Sequence, residues 1–210
     1  MNKGIARLTI AAGAVFLLVP LSLSAQKSRP PLSPSHLKLL SFTLEESTLA
    51  DVESRLGSSS PGACSQEADA SKMICYVSGG ANKTSVTFES GPSGGWSVLD
   101  GFKVASSKIG SPCKLQCSRT DAIGSEIQTG GGLRLGLTKA ELLSLLGRPS
   151  KISGNRYTFE WSSKRRMSKA DIAKFKQPPE EPFWSVDDTV EVVMAQSGVI
   201  EFEVHHTVFD

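Results

Sequence analysis

The segment Gly-Pro-Ser-Gly-Gly at 91–95 matches the Gly-x-Ser-x-Gly pattern of serine hydrolases, with Ser93 at its centre. His205 follows later in the chain, as the order of nucleophile and base in these enzymes requires. In hydrolases the pattern works on a sharp turn from a strand into a helix, whereas here it lies between two strand-like segments. We therefore interpret 91–95 as a Gly/Ser/Pro loop and keep a small periplasmic serine hydrolase as an alternative function.

Three histidines are the other candidates for acid–base or metal chemistry. His205 and His206 are adjacent in a predicted terminal strand, so their side chains point to opposite faces and cannot both ligate one ion. His36 lies in a Pro/Ser-rich leader. The sequence therefore predicts no catalytic residue, no metal site and no cofactor, and we do not expect an enzyme.

Residues 1–25 have the three parts of a secretory signal peptide. Lys3 and Arg7 precede the apolar segment LTIAAGAVFLLVPL, and Ser24 or Ala25 offers a small residue for cleavage. No cysteine follows the apolar segment, so no lipid-attachment site is available. The sequence predicts a periplasmic or secreted protein with a cleaved signal and no transmembrane segment.

The charge pattern gives no reason to expect a nucleic-acid partner. The formal net charge is +2, and Lys3 and Arg7 of the signal peptide account for this excess. Residues 134–176 hold eleven Lys/Arg and three Asp/Glu, a net charge of +8, whereas residues 177–210 hold eight Asp/Glu and no Lys/Arg, a net charge of −8. These two segments either pair within one sheet or form a dipolar surface that orients a charged partner.

Two helical segments have similar sequences. ESTLADVESRLG at 46–57 and GLTKAELLSLLG at 136–147 are identical at five of twelve positions. Thr48 with Asp51, and Thr138 with Glu141, have the spacing of a capping box, in which hydroxyl and carboxylate satisfy each other's backbone amides. A glycine ends each segment, where a left-handed residue is favoured. The similarity predicts an internal repeat.

Each predicted helix is followed by strand-like segments, which indicates a helix and an antiparallel meander present twice. We predict an α+β fold: a tandem repeat of a short helical layer packed on an antiparallel sheet, in two similar domains. The predicted boundaries are a flexible leader at 26–36, a first repeat at 37–128 and a second at 129–210. The predicted strands are 73–77, 84–90 and 96–104 in the first repeat, and 156–161, 189–195 and 199–206 in the second. The second also carries a basic helical insertion at about 163–182, where Ser168 and Asp171 form a third capping box.

GLTKAELLSLLGRP resembles the Gly-Met-Thr-x-x-x-Val-x-x-x-x-Gly-x-Pro signature of two related families. These are the tandem-repeat β-lactamase inhibitor proteins and the small lipoproteins of the outer-membrane barrel-assembly machinery. The spacing of Cys64 and Cys75 behind the first helix, followed by YVSGGANKTSVTF, is similar to the first family. The resemblance implies two tandem domains whose concave surface binds another protein without catalysis.

The four cysteines, Cys64, Cys75, Cys113 and Cys117, suggest two disulfides in an exported chain, and three connectivities are possible. The inhibitor family has a disulfide at nearly the spacing of Cys64 and Cys75. We therefore expect near neighbours to pair, Cys64 with Cys75 and Cys113 with Cys117, rather than a crossed pattern. A metal site at Cys113 and Cys117 is not favoured because no histidine stands at finger spacing.

The loop after Cys75 departs from the inhibitor family, because residues 79–84 contain neither an acid nor a tyrosine. Inhibition of a β-lactamase is therefore kept only as an alternative. The expected function is non-catalytic binding of another exported or envelope protein, with an outer-membrane assembly factor as a further alternative. Candidate partner-binding residues are Asn82, Lys83, Trp96 and Trp184, since loop polar groups and exposed tryptophans are common binding anchors.

Overall fold

The structure, a computed structural model, describes residues 30–62, 71–79, 83–92, 95, 97–106, 115–174 and 182–209. The whole predicted signal peptide, residues 1–25, thus lies outside the described residues. A 3-10 helix at Pro34–Leu37 precedes the other elements. These are, in chain order, β1 Lys38–Leu39, β2 Phe42–Thr43, α1 Leu49–Leu56, β3 Lys72–Ser78, β4 Thr84–Ser90, β5 Gly101–Ser106, β6 Ser118–Thr120, α2 Lys139–Leu146, β7 Lys151–Ser153, β8 Arg156–Arg166, α3 Lys169–Ile172, β9 Phe183–Ala195 and β10 Gly198–Phe209.

Eight of these strands form one mixed sheet in the order β6-β3-β4-β5-β10-β9-β8-β7, and β1 with β2 forms a small separate sheet. Neighbouring strands of the large sheet are antiparallel except β3 and β6, which are parallel. The α+β class is confirmed. The sheet is mixed, however, and joins both halves of the chain through the pairing of β5 with β10.

The large sheet has one apolar face and one polar face, because side chains alternate along each strand. In β4, Val86 and Phe88 are buried, whereas Thr87 and Glu89 between and beyond them stay partly exposed. We call the face that carries Val86 and Phe88 the inner face and the opposite one the outer face. Residues of α1 and α2 share one hydrophobic core with the inner face, namely Val52, Leu56, Leu142 and Leu146.

Both predicted helix starts are confirmed. Thr48 and Thr138 each form a complete capping box with the acid three residues later. The Thr48 amide donates to Asp51 Oδ2 at 2.8 Å, and the Asp51 amide donates to Thr48 Oγ1 at 3.1 Å. Beyond the helices, Gly57 has φ 95° and ψ 163°, so the positive φ is confirmed but the backbone is extended rather than left-handed helical. This region of φ/ψ space is essentially open to glycine alone.

The leader prediction is wrong for its last residues. Residues Pro34–Leu37 form the 3-10 helix, and Leu32 and His36 are buried. The Pro/Ser-rich composition of the segment does not reveal this packing, because it depends on a single leucine and one histidine that contact the rest of the fold. His36 Nδ1 lies 3.3 Å from the Thr129 hydroxyl, on the segment that enters the second half.

Two strand limits also differ from the predictions. The fifth strand begins at Gly101 rather than at residue 96, because Leu99 exchanges backbone hydrogen bonds with the segment before α1 instead of with the sheet. In the predicted helical insertion, residues 163–166 are strand, because β8 continues to Arg166, where it pairs with Phe183 of β9, and residues 175–181 lie outside the described residues. Its helix is limited to Lys169–Ile172, and the capping box of Ser168 is confirmed.

Both predicted pairings, Cys64 with Cys75 and Cys113 with Cys117, are wrong, because Cys75 is bonded to Cys117. Cys75 lies in β3, and β6 begins directly after Cys117 and runs parallel to β3, with Tyr76 opposite Ser118. The disulfide thus fastens a short parallel edge strand to the sheet. Cys64 and Cys113 lie outside the described residues. A connection between strands that are distant in sequence is not visible in the local spacing of the cysteines.

Candidate functional site

The two adjacent histidines of β10 point to opposite faces of the sheet, as predicted. His205 Nε2 lies 2.6 Å from Glu203 Oε1, on the outer face. His206 Nδ1 lies 2.6 Å from Asp188 Oδ1, within the buried part of the molecule. Each histidine therefore belongs to a separate group of charged side chains, and the two groups have different compositions.

The outer cluster, defined as Glu89, Asp100, Lys103, Glu201, Glu203 and His205, is built on three neighbouring strands. The register places Gly101 of β5 between Glu89 of β4 and His205 of β10. Gly101 has no side chain, and a Cβ at this position would lie 2.7 Å from His205 Nδ1. The imidazole therefore occupies the space above the Gly101 backbone, next to Glu89.

Three side chains of the outer cluster converge. Glu89, Glu203 and His205 each offer one ligand atom, and these atoms lie within 4.8 Å of one another. The side chains of His205 and Glu203 retain 34% and 24% of their exposure, so a small ligand has access to them. The group is thus neither fully buried nor spread over the surface.

Lys103 supplies positive charge to the outer cluster. Its Nζ lies 2.8 Å from Glu201 Oε1 and 3.5 Å from Glu203 Oε2. Glu201 is buried, so this ion pair keeps its carboxylate compensated away from water.

Asp100 is the second buried carboxylate of the outer cluster. The residue is 8% exposed, and its Oδ2 accepts a hydrogen bond from the Gly91 amide at 3.0 Å. Its Oδ1 has no hydrogen-bond partner among the described residues. A Cβ on Gly91 would lie 2.6 Å from Ser71 Oγ and 3.0 Å from Asp100 Oδ2. A second glycine therefore leaves room for polar groups at this end of the sheet.

The charges of the outer cluster act on one another. Burial raises the pKa of Glu89, against a hydrogen bond from Ser71 and the charge of His205, which lower it. Burial alone would lower the pKa of His205, but the hydrogen bond to Glu203 and the charges of Glu203, Glu89 and Asp100 outweigh it, and this pKa is raised. The cluster thus favours a positive charge at its centre.

The inner network consists of His206, Asp188, Glu45 and Arg165. His206 Nε2 lies 3.0 Å from Glu45 Oε2, an ion-pair contact rather than a well-aligned hydrogen bond. Arg165 donates to both Glu45 oxygens, at 2.6 and 2.9 Å. Two carboxylates thus meet two cationic groups, and the network connects the segment before α1 to β8, β9 and β10.

The inner network shifts the pKa of two of its members strongly. The close contacts of its carboxylate with His206 and Arg165 lower the pKa of Glu45 to about 2. Burial opposes the charged form of His206, but Asp188 and Glu45 outweigh it and raise its pKa to about 9. His206 is therefore an imidazolium held between carboxylates at neutral pH.

Two of the four candidate partner-binding residues, Lys83 and Trp184, lie among the described residues. Ser93, Asn82 and Trp96 lie outside the described residues. Lys83 is exposed just before β4, whereas Trp184 is partly buried in β9 opposite Arg165. The segment 91–95 lies between β4 and β5, which are antiparallel neighbours, rather than between a strand and a helix.

The outer cluster was not predicted. The alternation in VTFES and EFEVHH does indicate that Glu89, Glu203 and His205 point to a wet face of their strands. It does not indicate that β5 brings β4 and β10 together, and this arrangement makes the three side chains neighbours.

Comparison with known proteins gives no relatives: no family model matches the sequence, and neither a curated protein nor a solved structure matches it. In the described part of the chain no helix is both long and apolar enough to cross a membrane.

Proposed function

We propose that this chain is an exported, non-catalytic protein-binding module that uses the outer face of its large sheet. One observation carries the proposal: the helices share the core of the inner face, while outer-face side chains remain partly exposed on strands from both halves. Most of these outer-face side chains are polar, including Thr87, Thr158, Glu160, Ser162 and Asp187. A broad polar sheet surface suits contact with a folded protein partner.

Similar strand arrangements in the two halves support the same proposal. In each half a capped helix is followed by three consecutive antiparallel strands, β3-β4-β5 and β8-β9-β10 with β7 added at the edge, and the third strands pair with each other. The central pair of that contact is Lys103 opposite Glu203. The strand registers on either side of this pair assign each residue of β3, β4 and β5 an equivalent position in β8, β9 and β10. Buried residues occupy equivalent positions in the two halves: Ile74 and Tyr157, Tyr76 and Phe159, Val86 and Val190, Phe88 and Val192, Phe102 and Phe202, and Val104 and Val204.

The opposite charges of residues 134–176 and 177–210 are better explained by ion pairing within the sheet than by a dipolar surface that orients a partner. The basic strand β8 and the acidic strand β9 are neighbours, and Arg156 forms an ion pair with Glu191 at 2.5 Å. This ion pair compensates part of the opposite charge within the sheet. The partner we propose is therefore recognised by shape and polar contacts on the outer face more than by long-range attraction.

An exported location and an envelope or secreted partner complete the proposal. A disulfide in the described chain is compatible with an oxidising compartment. Assembly of outer-membrane proteins is one such role, by the resemblance of the α2 segment to the barrel-assembly lipoproteins. Inhibition of a β-lactamase is less favoured, because the loop at 79–84 lacks the acid and tyrosines of that family.

Matched variants on the two faces test the proposal. Ser162→Arg with Ser185→Arg adds two bulky cations to the outer face, and Ser54→Arg with Ser144→Arg adds the same groups to α1 and α2. We expect affinity capture from secreted and envelope fractions to retain one partner with the native chain and the helix variant, and to lose it with the outer-face variant. Loss in the helix variant alone, or no specific partner with the native chain, would contradict the proposal.

A further inference from the structure

We propose that Glu89, Glu203 and His205, with Asp100 beside them, form a binding site for a divalent transition-metal ion, of which Zn²⁺ is the best match. The inference is independent of the proposed binding of a partner protein. It rests on the donor atoms, the charge balance, the unpartnered Asp100 oxygen and the space made by two glycines.

The donor atoms select the class of ion. One imidazole nitrogen and two carboxylate oxygens lie within 4.8 Å of one another. Imidazole suits zinc, copper, iron and nickel, whereas magnesium and calcium prefer oxygen ligands alone. Zinc accepts nitrogen and carboxylate ligands in one site, and a site with three protein ligands keeps a fourth position for water or another ligand.

The charge balance of the cluster favours a cation. Four carboxylates, from Glu89, Asp100, Glu201 and Glu203, are accompanied by the ammonium of Lys103 and the imidazole of His205. Lys103 pairs mainly with Glu201, which leaves His205 to compensate the remaining three. A divalent ion would supply the missing positive charge, and His205 would then bind as neutral imidazole.

The unpartnered oxygen of Asp100 also indicates a bound ligand. Buried carboxylate oxygens are almost always hydrogen-bonded, because an unpaired one carries the full cost of leaving water. Asp100 is 8% exposed, yet its Oδ1 has no hydrogen-bond partner among the described residues. The Asp100 amide donates to the Glu89 carbonyl at 3.1 Å, so Asp100 lies next to one of the ligands. An ion bound by Glu89, Glu203 and His205 would satisfy the Asp100 oxygen through its bound water.

Two glycines leave space where the ligands converge. A Cβ at Gly101 would lie 2.7 Å from His205 Nδ1, and one at Gly91 would lie 3.0 Å from Asp100 Oδ2. Any side chain at either position would displace a proposed ligand or the neighbouring carboxylate. The backbone at 91 and 101 thus allows the imidazole and the carboxylates to come together.

Metal titration of the chain purified without an affinity tag tests the site. We expect Co²⁺ to give a visible absorption band that saturates at one ion per chain, and Zn²⁺ to abolish the band by displacement. H205Q should lower Zn²⁺ affinity by more than about tenfold, and E203Q likewise, because each removes a ligand. E160Q removes an outer-face carboxylate two strands away from β10 and should leave the affinity unchanged.

A measurement on the native chain keeps the test valid if a variant fails to fold. With labelled histidine, stoichiometric Zn²⁺ should shift the ring resonances of His205 and leave those of His36 unchanged, because His36 is buried next to Thr129. Absence of a saturable cobalt band, equal Zn²⁺ affinity in H205Q, or zinc-induced shifts confined to His36 or His206 would overturn the proposal.

Discussion

His205 and His206 are neighbours in the chain, but they have opposite roles in the structure. His206 lies in a network of two carboxylates and two cationic groups, and its side chain is 6% exposed. His205 lies in a cluster whose carboxylates outnumber its cationic groups, and its side chain is 34% exposed. The balanced network fastens the two halves together, whereas the unbalanced, accessible cluster is suited to a ligand.

The residue type alone therefore does not assign a role to a histidine. Both rings touch carboxylates at 2.6 Å, and both have raised pKa values. The two sites differ in what surrounds each histidine and its carboxylate. Arg165 and the segment before α1 complete the inner network, whereas the missing side chain of Gly101 and partial exposure leave the outer cluster open to solvent. Four predictions test this difference, in order of expected effect.

The largest effect is expected from replacing His206 by glutamine, with H205Q as the matched variant on the other face. H206Q removes the imidazolium between Asp188 and Glu45 and leaves a buried carboxylate unpaired, so the free energy of unfolding should fall by about 3–5 kcal/mol. H205Q should cost less than about 1 kcal/mol, because its ion pair is partly exposed. Urea denaturation of both variants measures the two values, and equal losses would show that the two histidines contribute equally to stability.

Lys103→Met should give the next largest effect. It removes the ammonium 2.8 Å from the buried Glu201 carboxylate, and the free energy of unfolding should fall by about 2–3 kcal/mol. The outer cluster then has less positive charge, so added Zn²⁺ should raise the melting temperature more than it does in the native chain. An equal or smaller zinc-induced rise in Lys103→Met would contradict the charge balance that we describe.

Gly101→Ala tests the space above β5. The new methyl group would meet His205 Nδ1 at 2.7 Å, so we expect a loss of about 1–3 kcal/mol and a weaker Zn²⁺ interaction. Gly124→Ala is the matched control, because its nearest atom would be 4.0 Å away, and its effect should stay within about 0.5 kcal/mol. Thermal unfolding with and without Zn²⁺ separates the two, and identical behaviour would show that the outer cluster does not need the glycine.

The smallest effect is expected from Glu45→Gln, and it depends on pH. The folded pKa of Glu45 is about 2, against an ordinary value of 4.5, so its charge stabilises the native state above the ordinary value. This contribution is lost as the pH falls from 4.5 toward 2, because the carboxylate then takes up a proton on unfolding. The stability difference between the native chain and Glu45→Gln should therefore shrink over this range in urea titrations. A difference that is constant with pH would show that Glu45 is not held ionised by the inner network.

Local features of this protein follow from the amino-acid sequence alone. The spacing of Thr48 to Asp51 and of Thr138 to Glu141 fixed the helix starts, because a capping box depends only on atoms within one turn. The alternation along β4 and β10 fixed which side chains face water and sent His205 and His206 to opposite faces.

Contacts between residues that are distant in sequence depend on the folded arrangement of the strands. The bond between Cys75 and Cys117, the parallel pairing of β6, and the placement of Glu89 beside Glu203 and His205 all depend on strand order and register. Register is set when the whole inner face packs against α1 and α2, and this packing involves residues far apart in sequence. Local spacing contains no such information, so the predicted cysteine pairing failed and the outer cluster appeared only in the folded chain.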